Sequence, residues 1–189
     1  MTTAHHRELE LKAVVPDPDE LRRRLAAAGA ETRYAGRMTD VRFDRGGELT
    51  ARDEVLRVRT FEHADRVESV VAWKGPTLRS SEGYKLREEI ELPLAPTAAE
   101  PGRLLAALGY VPVSAIERLV EVFALGGATV RLEIYPRMDV LLEVEGDPEA
   151  IERAIAATGI PRDEFTPEPL GDFVRRFEER SGRPAALAG

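Results

Sequence analysis

The chain contains no cysteine, one tryptophan and three histidines among its 189 residues. The lack of cysteine excludes disulfide bonds, thiolate metal sites and a thiol nucleophile. No apolar run approaches the roughly 18 residues that a membrane-spanning helix needs. No hydrophobic segment follows the first seven residues, so no secretory signal is expected. These absences predict a cytoplasmic protein with no membrane partner.

The net charge of -7 argues against wholesale nucleic-acid binding, because a phosphate backbone requires a basic surface. It is still compatible with a local basic pocket. A length of 189 residues with 43% hydrophobic residues fits one globular domain with a sizeable core. His5 and His6 could be metal ligands, but the simpler interpretation assigns them to the chain end and His63 to a turn.

Periodicity and turn residues divide the chain into strands and helices. Eight strands, mostly linked as hairpins, predict an α+β fold: an eight-stranded antiparallel β-barrel, or tunnel, with helices packed on the outside. Residues 77–83 are predicted to form a polar loop. The predicted strands cover 8–12, 39–44, 55–61, 67–74, 84–92, 115–125, 128–135 and 139–145. One predicted helix begins near Pro16 and ends at Gly29. Three further predicted helices cover 101–108, 148–157 and 170–180.

In the first strand, alternation places Glu8, Glu10 and Lys12 on one face and Leu9 and Leu11 on the other. Two carboxylates about 7 Å apart can hold a hard divalent cation, and the lysine beside them can meet an anion. Taken alone, this stretch is more simply a surface strand with a solvated charged face. Later strands repeat the pattern, however. The residues that share a charged face there are Arg57 with Arg59, Lys85 with Arg87, Glu89 and Glu91, Arg131 with Glu133, and Glu143 with Glu145.

These faces carry almost only Arg, Lys and Glu, whereas the opposite faces are apolar enough to pack under helices. If helices cover the apolar faces, the charged faces point into a barrel lumen. Charges crowded there are costly unless a polyanion and metal ions meet them. The alternative is an open sheet whose charged faces pair in water. The lumen is favoured because it gives both faces of each strand a partner, and it predicts cations for phosphates and carboxylates for Mg²⁺ or Mn²⁺.

The first strand resembles the N-terminal ExExK signature of the CYTH domain, which defines the triphosphate tunnel metalloenzymes. The resemblance extends over about residues 7–157 and implies an eight-stranded tunnel that binds a triphosphate. Four further pieces follow in the family's order: Leu56-Arg57-Val58-Arg59, Trp73-Lys74-Gly75-Pro76, Arg87-Glu88-Glu89-Ile90-Glu91 and Glu143-Val144-Glu145-Gly146.

The resemblance also implies roles for individual residues. The implied metal ligands are Glu8, Glu10, Glu133, Glu143 and Glu145. The implied phosphate ligands are Lys12, Arg57, Arg59, Lys74, Lys85, Arg87 and Arg118. The residues implied in catalysis are Glu8, Glu10, Lys12, Lys85 and Arg87. Glu89 and Glu91 would lie in the lumen, as metal ligands or as partners that orient the basic residues.

Two departures from the family pattern stand out. The family often has Lys-x-Arg on the strand of Arg118, whereas here Val120 lies two places after Arg118. One phosphate contact is therefore expected to be missing or to come from Arg131. The family usually has Asp as its late metal ligand, whereas this chain has Glu133, which is one methylene longer and could shift the metal.

The family divides between class IV adenylyl cyclases and hydrolases of thiamine triphosphate or inorganic triphosphate. The length and the C-terminal extension look more like the small cyclase-like members, which convert ATP to cyclic AMP and pyrophosphate. Hydrolysis of the terminal phosphate is the alternative. A non-catalytic module that binds polyphosphate or nucleotide is a third class, and the set of carboxylates argues against it because binding alone needs only the cations. A purely structural barrel would leave the lumen cations unexplained.

Residues 1–164 are interpreted as the tunnel domain and 165–189 as its C-terminal helical extension. In the last helix, Leu170, Phe173, Val174 and Phe177 form one apolar stripe that must be buried. We expect it to cover a tunnel mouth or an outer apolar face. The competing interpretation is a dimerisation helix, which would make the protein a homodimer.

Overall fold

The computed structural model describes residues 6–95 and 101–189, with the side chains of the first strand described from Leu9 onwards. His5 therefore lies outside the described residues, as do the side chains of His6 and Glu8. The strands are β1 (His6–Val14), β2 (Glu31–Asp44), β3 (Val55–Glu62), β4 (Val67–Lys74), β5 (Leu78–Arg79), β6 (Lys85–Leu94), β7 (Val111–Leu125), β8 (Ala128–Ile134) and β9 (Leu141–Glu145). The helices are α1 (Pro18–Ala27), α2 (Glu48–Ala51), α3 (Pro101–Ala107), α4 (Pro148–Thr158) and α5 (Leu170–Ser181).

Eight of these strands close into an antiparallel barrel in the order β1-β9-β8-β7-β2-β3-β4-β6. β1 pairs with β9 on one side and with β6 on the other, which closes the sheet. The two-residue strand β5 adds only to the edge of β6, within the loop predicted over 77–83. The predicted eight-stranded antiparallel barrel with external helices is therefore confirmed.

Helices α1 and α4 cover the outer wall formed by β1, β8 and β9. Leu11 and Ala13 of β1 lie in one buried cluster with Leu25 of α1 and Ile151 of α4. Asp17 caps α1, because its carboxylate accepts hydrogen bonds from the backbone N–H groups of residues 19 and 20. Since the odd-numbered residues of β1 pack outwards, Glu10 and Lys12 face the lumen, as alternation predicted.

An apolar cluster fills the lumen at one end. Met38, Phe61 and Val120 share strand faces with Asp40, Arg59 and Arg118 respectively, and they pack together with Tyr34 and Val122. Val120 is 1% exposed. Val120, two residues after Arg118, therefore belongs to this apolar packing and not to the charged section of the lumen, in line with the departure from the family pattern noted above.

Helix α5 and the chain after it lie at the cavity mouth. Phe173 packs in a buried cluster with Ile116, Tyr135 and Leu141. The backbone N–H of Glu117 donates to the carbonyl of Leu187 at 2.6 Å, which ties the tail to β7. Leu170, Gly171, Val174 and Leu187 line the cavity. Of the two expected positions for the C-terminal stripe, the structure selects the mouth.

Two strands begin earlier than predicted. β2 begins at Glu31, not at residue 39, and β7 begins at Val111, not at residue 115. Each extra length pairs with the predicted part of the other strand: Glu31 lies opposite Ala124, and Val111 lies opposite Asp44. Pairing with a distant segment thus extends strands whose local alternation is weak. The short helix α2 was not predicted; Asp44 holds its first turn through the N–H groups of Leu49 and Thr50.

Across 6–95 and 101–189, no helix combines the length and the apolar character needed to cross a membrane.

Candidate active site

The lumen encloses a cavity of about 500 Å³. Nine basic side chains and five acidic side chains line it among the described residues, so the cavity carries excess positive charge in a chain whose net charge is -7. The basic residues are Lys12, Arg42, Arg57, Arg59, Lys74, Lys85, Arg87, Arg118 and Arg131. The acidic residues are Glu10, Asp40, Asp53, Glu133 and Glu143.

Three of the predicted metal ligands form one carboxylate cluster. Glu10, Glu143 and Glu145 each offer a carboxylate oxygen, and these oxygens lie within 4.8 Å of one another. The register of β1 against β9 brings them together, since Glu10 lies opposite Glu145 and Lys12 lies opposite Glu143. The backbone of Glu8 lies opposite Arg87 of β6, and its role as a ligand stays a prediction.

Basic side chains surround the carboxylate cluster. Lys12 Nζ lies 2.7 Å from Glu10 Oε1 and also pairs with Glu143. Lys85 pairs with Glu10, and Arg131 Nη1 pairs with Glu143 and lies 3.0 Å from Glu145 Oε1. Burial by itself would raise the pKa of Glu10, but the attraction of Lys12 and Lys85 lowers that pKa to about 2. Glu10 is therefore ionised at neutral pH.

A second charged cluster surrounds Asp40, a residue that the sequence analysis did not select. Its carboxylate accepts hydrogen bonds from Arg59 at 2.7 and 3.0 Å and from Arg118 at 3.0 Å. Burial would raise the pKa of Asp40, but the neighbouring arginines hold it well below its usual range. Alternation along the predicted strand 39–44 places Asp40 and Arg42 on one face, and that signal could have identified both residues.

Glu133 belongs to this second cluster and not to the carboxylate cluster. It accepts a hydrogen bond from Arg118 Nε at 2.9 Å and another from the Tyr135 hydroxyl at 2.6 Å. Burial and the charge of Glu133 raise the pKa of Tyr135 well above its usual value, so the phenol stays protonated. Glu133 is thus placed to orient Arg118, and its predicted role as a metal ligand has no support from its contacts.

On β6, the charged residues have different surroundings. Arg87 donates to the backbone carbonyls of Gly75 at 2.6 Å and Asp53 at 2.7 Å, so it holds the loops that flank the cavity. Glu89 pairs with Lys74, which matches the predicted orienting role. Glu91 is exposed and lies 3.6 Å from Arg57.

Some buried donors in the cavity lack acceptors among the described residues. Arg57 Nε and Arg118 Nη1 are both buried there without a hydrogen-bond partner. Burial and the neighbouring Arg59 lower the pKa of Arg57 to about 10. Unpaired buried donors and close like charges are both costly, and a bound polyanion would relieve both.

No family model and no curated protein matches this chain. Among solved structures, the chain is similar to a proposed adenylate cyclase from Vibrio parahaemolyticus, with 16% identity, a TM-score of 0.73, and 89% of this chain and 97% of that chain covered. It is also similar to the PH1819 protein from Pyrococcus horikoshii, with 22% identity, a TM-score of 0.70, and 93% and 99% covered.

A third similar structure is that of HpAC1 from Hippeastrum, a proposed adenylyl cyclase described as having a dominant triphosphatase activity. Its identity is 16% and its TM-score 0.55, with 96% of this chain and 91% of that chain covered. Together with the barrel topology and the charged lumen, these similarities show that the chain has the CYTH-like tunnel fold.

Proposed function

We propose that this protein is a divalent-metal-dependent enzyme that cleaves a phosphoanhydride bond of a triphosphate bound in the cavity. The observation that carries the proposal is the carboxylate cluster of Glu10, Glu143 and Glu145, in which Glu10 and Glu143 line a cavity with excess positive charge. A module that only bound polyphosphate would need the cations but not three converging carboxylates.

The carboxylate cluster fits a hard divalent cation such as Mg²⁺ or Mn²⁺. Three carboxylate oxygens within 4.8 Å of one another are the donor set that such ions prefer. Glu8 is a further candidate from its position in the motif. When bound, the cation would polarise phosphate oxygens and lower the pKa of a coordinated water.

The chain's own residues would bind and orient the phosphates. Lys12, Lys85 and Arg131 lie beside the carboxylate cluster, where their N–H groups can be shared between carboxylate and phosphate oxygens. Arg57 and Arg118 bring donors that have no other acceptor among the described residues. Because their positions are held by buried ion pairs, these groups are preorganised for the charge that develops on the leaving phosphate.

Two reactions share this arrangement. In hydrolysis, a water oxygen attacks the terminal phosphorus, the bond to the bridging oxygen breaks, and orthophosphate and a proton are released. In cyclisation of ATP, the ribose 3′ oxygen attacks the α-phosphorus and pyrophosphate leaves. Hydrolysis requires only the phosphate chain. Cyclisation is the second candidate because Leu170, Val174 and Leu187 line the cavity and offer apolar contacts to a nucleoside.

The decisive experiment incubates the protein with ATP, thiamine triphosphate or tripolyphosphate and with Mg²⁺ or Mn²⁺, and resolves the products by ³¹P NMR. We expect turnover with at least one substrate and its loss on addition of EDTA. Glu10→Gln should lose turnover, whereas Glu31→Gln, which removes an exposed carboxylate from β2, should not. Turnover that survives EDTA, or no product from any of the three substrates, would refute the proposal.

A further inference from the structure

Arg42 is a lumen cation whose guanidinium has no partner within the described ranges. It lies on β2 two residues after Asp40, on the same strand face, and it lines the cavity. No hydrogen bond and no ion pair joins its guanidinium to any residue of 9–95 or 101–189. Most other cavity cations pair with carboxylates, and Arg87 donates to backbone carbonyls.

One of the two cross-strand neighbours of Arg42 is another arginine. Arg42 lies directly opposite Arg57 of β3, and on its other side it lies opposite Ser114 of β7. Like charges directly opposite each other destabilise a sheet. Burial lowers the pKa of Arg42, and Arg118 and Arg87 lower it further, although Asp40 acts in the other direction. The Arg42–Arg57 pair therefore concentrates positive charge that the described residues compensate only in part.

The position of this pair in the barrel matters for a long ligand. In the closed order of eight strands, β2 and β3 lie three or four strands away from β1 and β9, which carry the carboxylate cluster. The Arg42–Arg57 pair and the carboxylate cluster therefore lie on opposite walls of the barrel. Both arginines line the same cavity as Glu10 and Glu143 of the cluster. A ligand that spans the lumen can reach both walls, whereas a short anion can occupy only one.

We propose that Arg42, together with Arg57, binds the phosphate group of a triphosphate that lies farthest from the carboxylate cluster. Arg42 thereby determines the preference for a chain of three phosphates over a chain of two. This inference rests on the proposed function, since it takes a triphosphate as the ligand of the cavity. In this binding mode, the guanidinium of Arg42 donates hydrogen bonds to oxygens of that phosphate group.

The test compares Arg42→Gln with Arg37→Gln by isothermal titration calorimetry. Arg37 is a matched control because it lies on the same strand with its side chain 53% exposed, and its ion pairs with Glu62 and Glu117 are long, at 3.9 and 3.6 Å. The probes are tripolyphosphate and pyrophosphate, each with and without Mn²⁺. We expect Arg42→Gln to weaken tripolyphosphate binding about tenfold or more, because a hydrogen bond between charged groups is typically worth that factor. Pyrophosphate binding should change less than about twofold, and Arg37→Gln should match the wild type with both probes.

A wild-type Kd for tripolyphosphate in Arg42→Gln would overturn the inference, and so would an equal loss for both probes. Thermal unfolding checks the fold: without anion, Arg42→Gln should unfold at or above the wild-type temperature, because it removes an uncompensated charge. If that variant does not fold, Arg42→Lys keeps the charge but loses the planar fork, and it should still bind tripolyphosphate several-fold more weakly than the wild type. If Arg42→Lys binds tripolyphosphate with the wild-type Kd, the inference also fails.

Binding and turnover separate the two proposals. If wild-type protein discriminates between the probes through Arg42 but turns over no triphosphate, the inference stands and the proposed catalysis fails. If wild-type protein binds neither probe, both fail.

Discussion

Replacement of Asp40 by asparagine tests whether the positive charge of the cavity destabilises the fold unless acidic residues of the chain compensate it. Asp40 is 3% exposed and its carboxylate contacts three arginines: Arg59 through two hydrogen bonds, Arg118 at 3.0 Å and Arg57 at 3.6 Å. Asparagine keeps the volume but removes the negative charge, and its amide NH₂ group would face donors. Removal of one partner from a buried ion pair typically costs about 3–5 kcal/mol.

The assay is unfolding by urea and by heat at pH 7 without added anion. A loss of 3–5 kcal/mol corresponds to a decrease in Tm of about 6 to 20 °C for a domain of this size. Asp65→Asn is the control, because Asp65 is 77% exposed and its pair with Arg66 is worth little. Added tripolyphosphate should recover part of the Tm of Asp40→Asn, since phosphate oxygens can replace the missing carboxylate. A destabilisation below about 1 kcal/mol would show that water already compensates these arginines, and the reasoning would be wrong.

The stability difference between wild type and Asp40→Asn should also depend on pH. The folded-state pKa of Asp40 is depressed, so its contribution is fully present above about pH 4 and decreases as the pH falls below that value; a constant difference down to pH 2 would contradict this sign. Glu10→Gln should lower kcat about 100-fold or more with little change in circular dichroism, because it removes a ligand and not volume; retained activity would exclude Glu10 from the metal site. In competitive inhibition assays, tripolyphosphate should bind more tightly than pyrophosphate and orthophosphate, and equal inhibition by all three would count against a triphosphate site. Deletion of residues 166–189 removes Phe173 from its buried cluster and the tail from the cavity mouth, so both Tm and triphosphate affinity should fall with no change of oligomeric state in size-exclusion chromatography. A truncated protein that stays folded and fully active but becomes monomeric would support the dimerisation helix instead.

Strand alternation by itself determined which side chains face the lumen. Leu11 and Ala13 pack under α1 and α4, while Glu10 and Lys12 line the cavity, as predicted. This worked because the period of a strand is two residues whatever lies beyond it, so the face of a side chain is a local property. Periodicity and turn residues also predicted eight strands and an antiparallel barrel, and the ordered motifs resemble a family with the same architecture.

The tertiary structure decided which charges meet. Strand register places Glu10 opposite Glu145, which builds the carboxylate cluster from segments more than 130 residues apart in the sequence. It also places Glu133 against Arg118, and it makes Asp40 the shared partner of Arg59 and Arg118. No local pattern contains this information, because register depends on how two distant strands pack and close the barrel. For the same reason, the sequence could show that Arg42 is charged, but only the paired strands show that it faces Arg57 and not an acid.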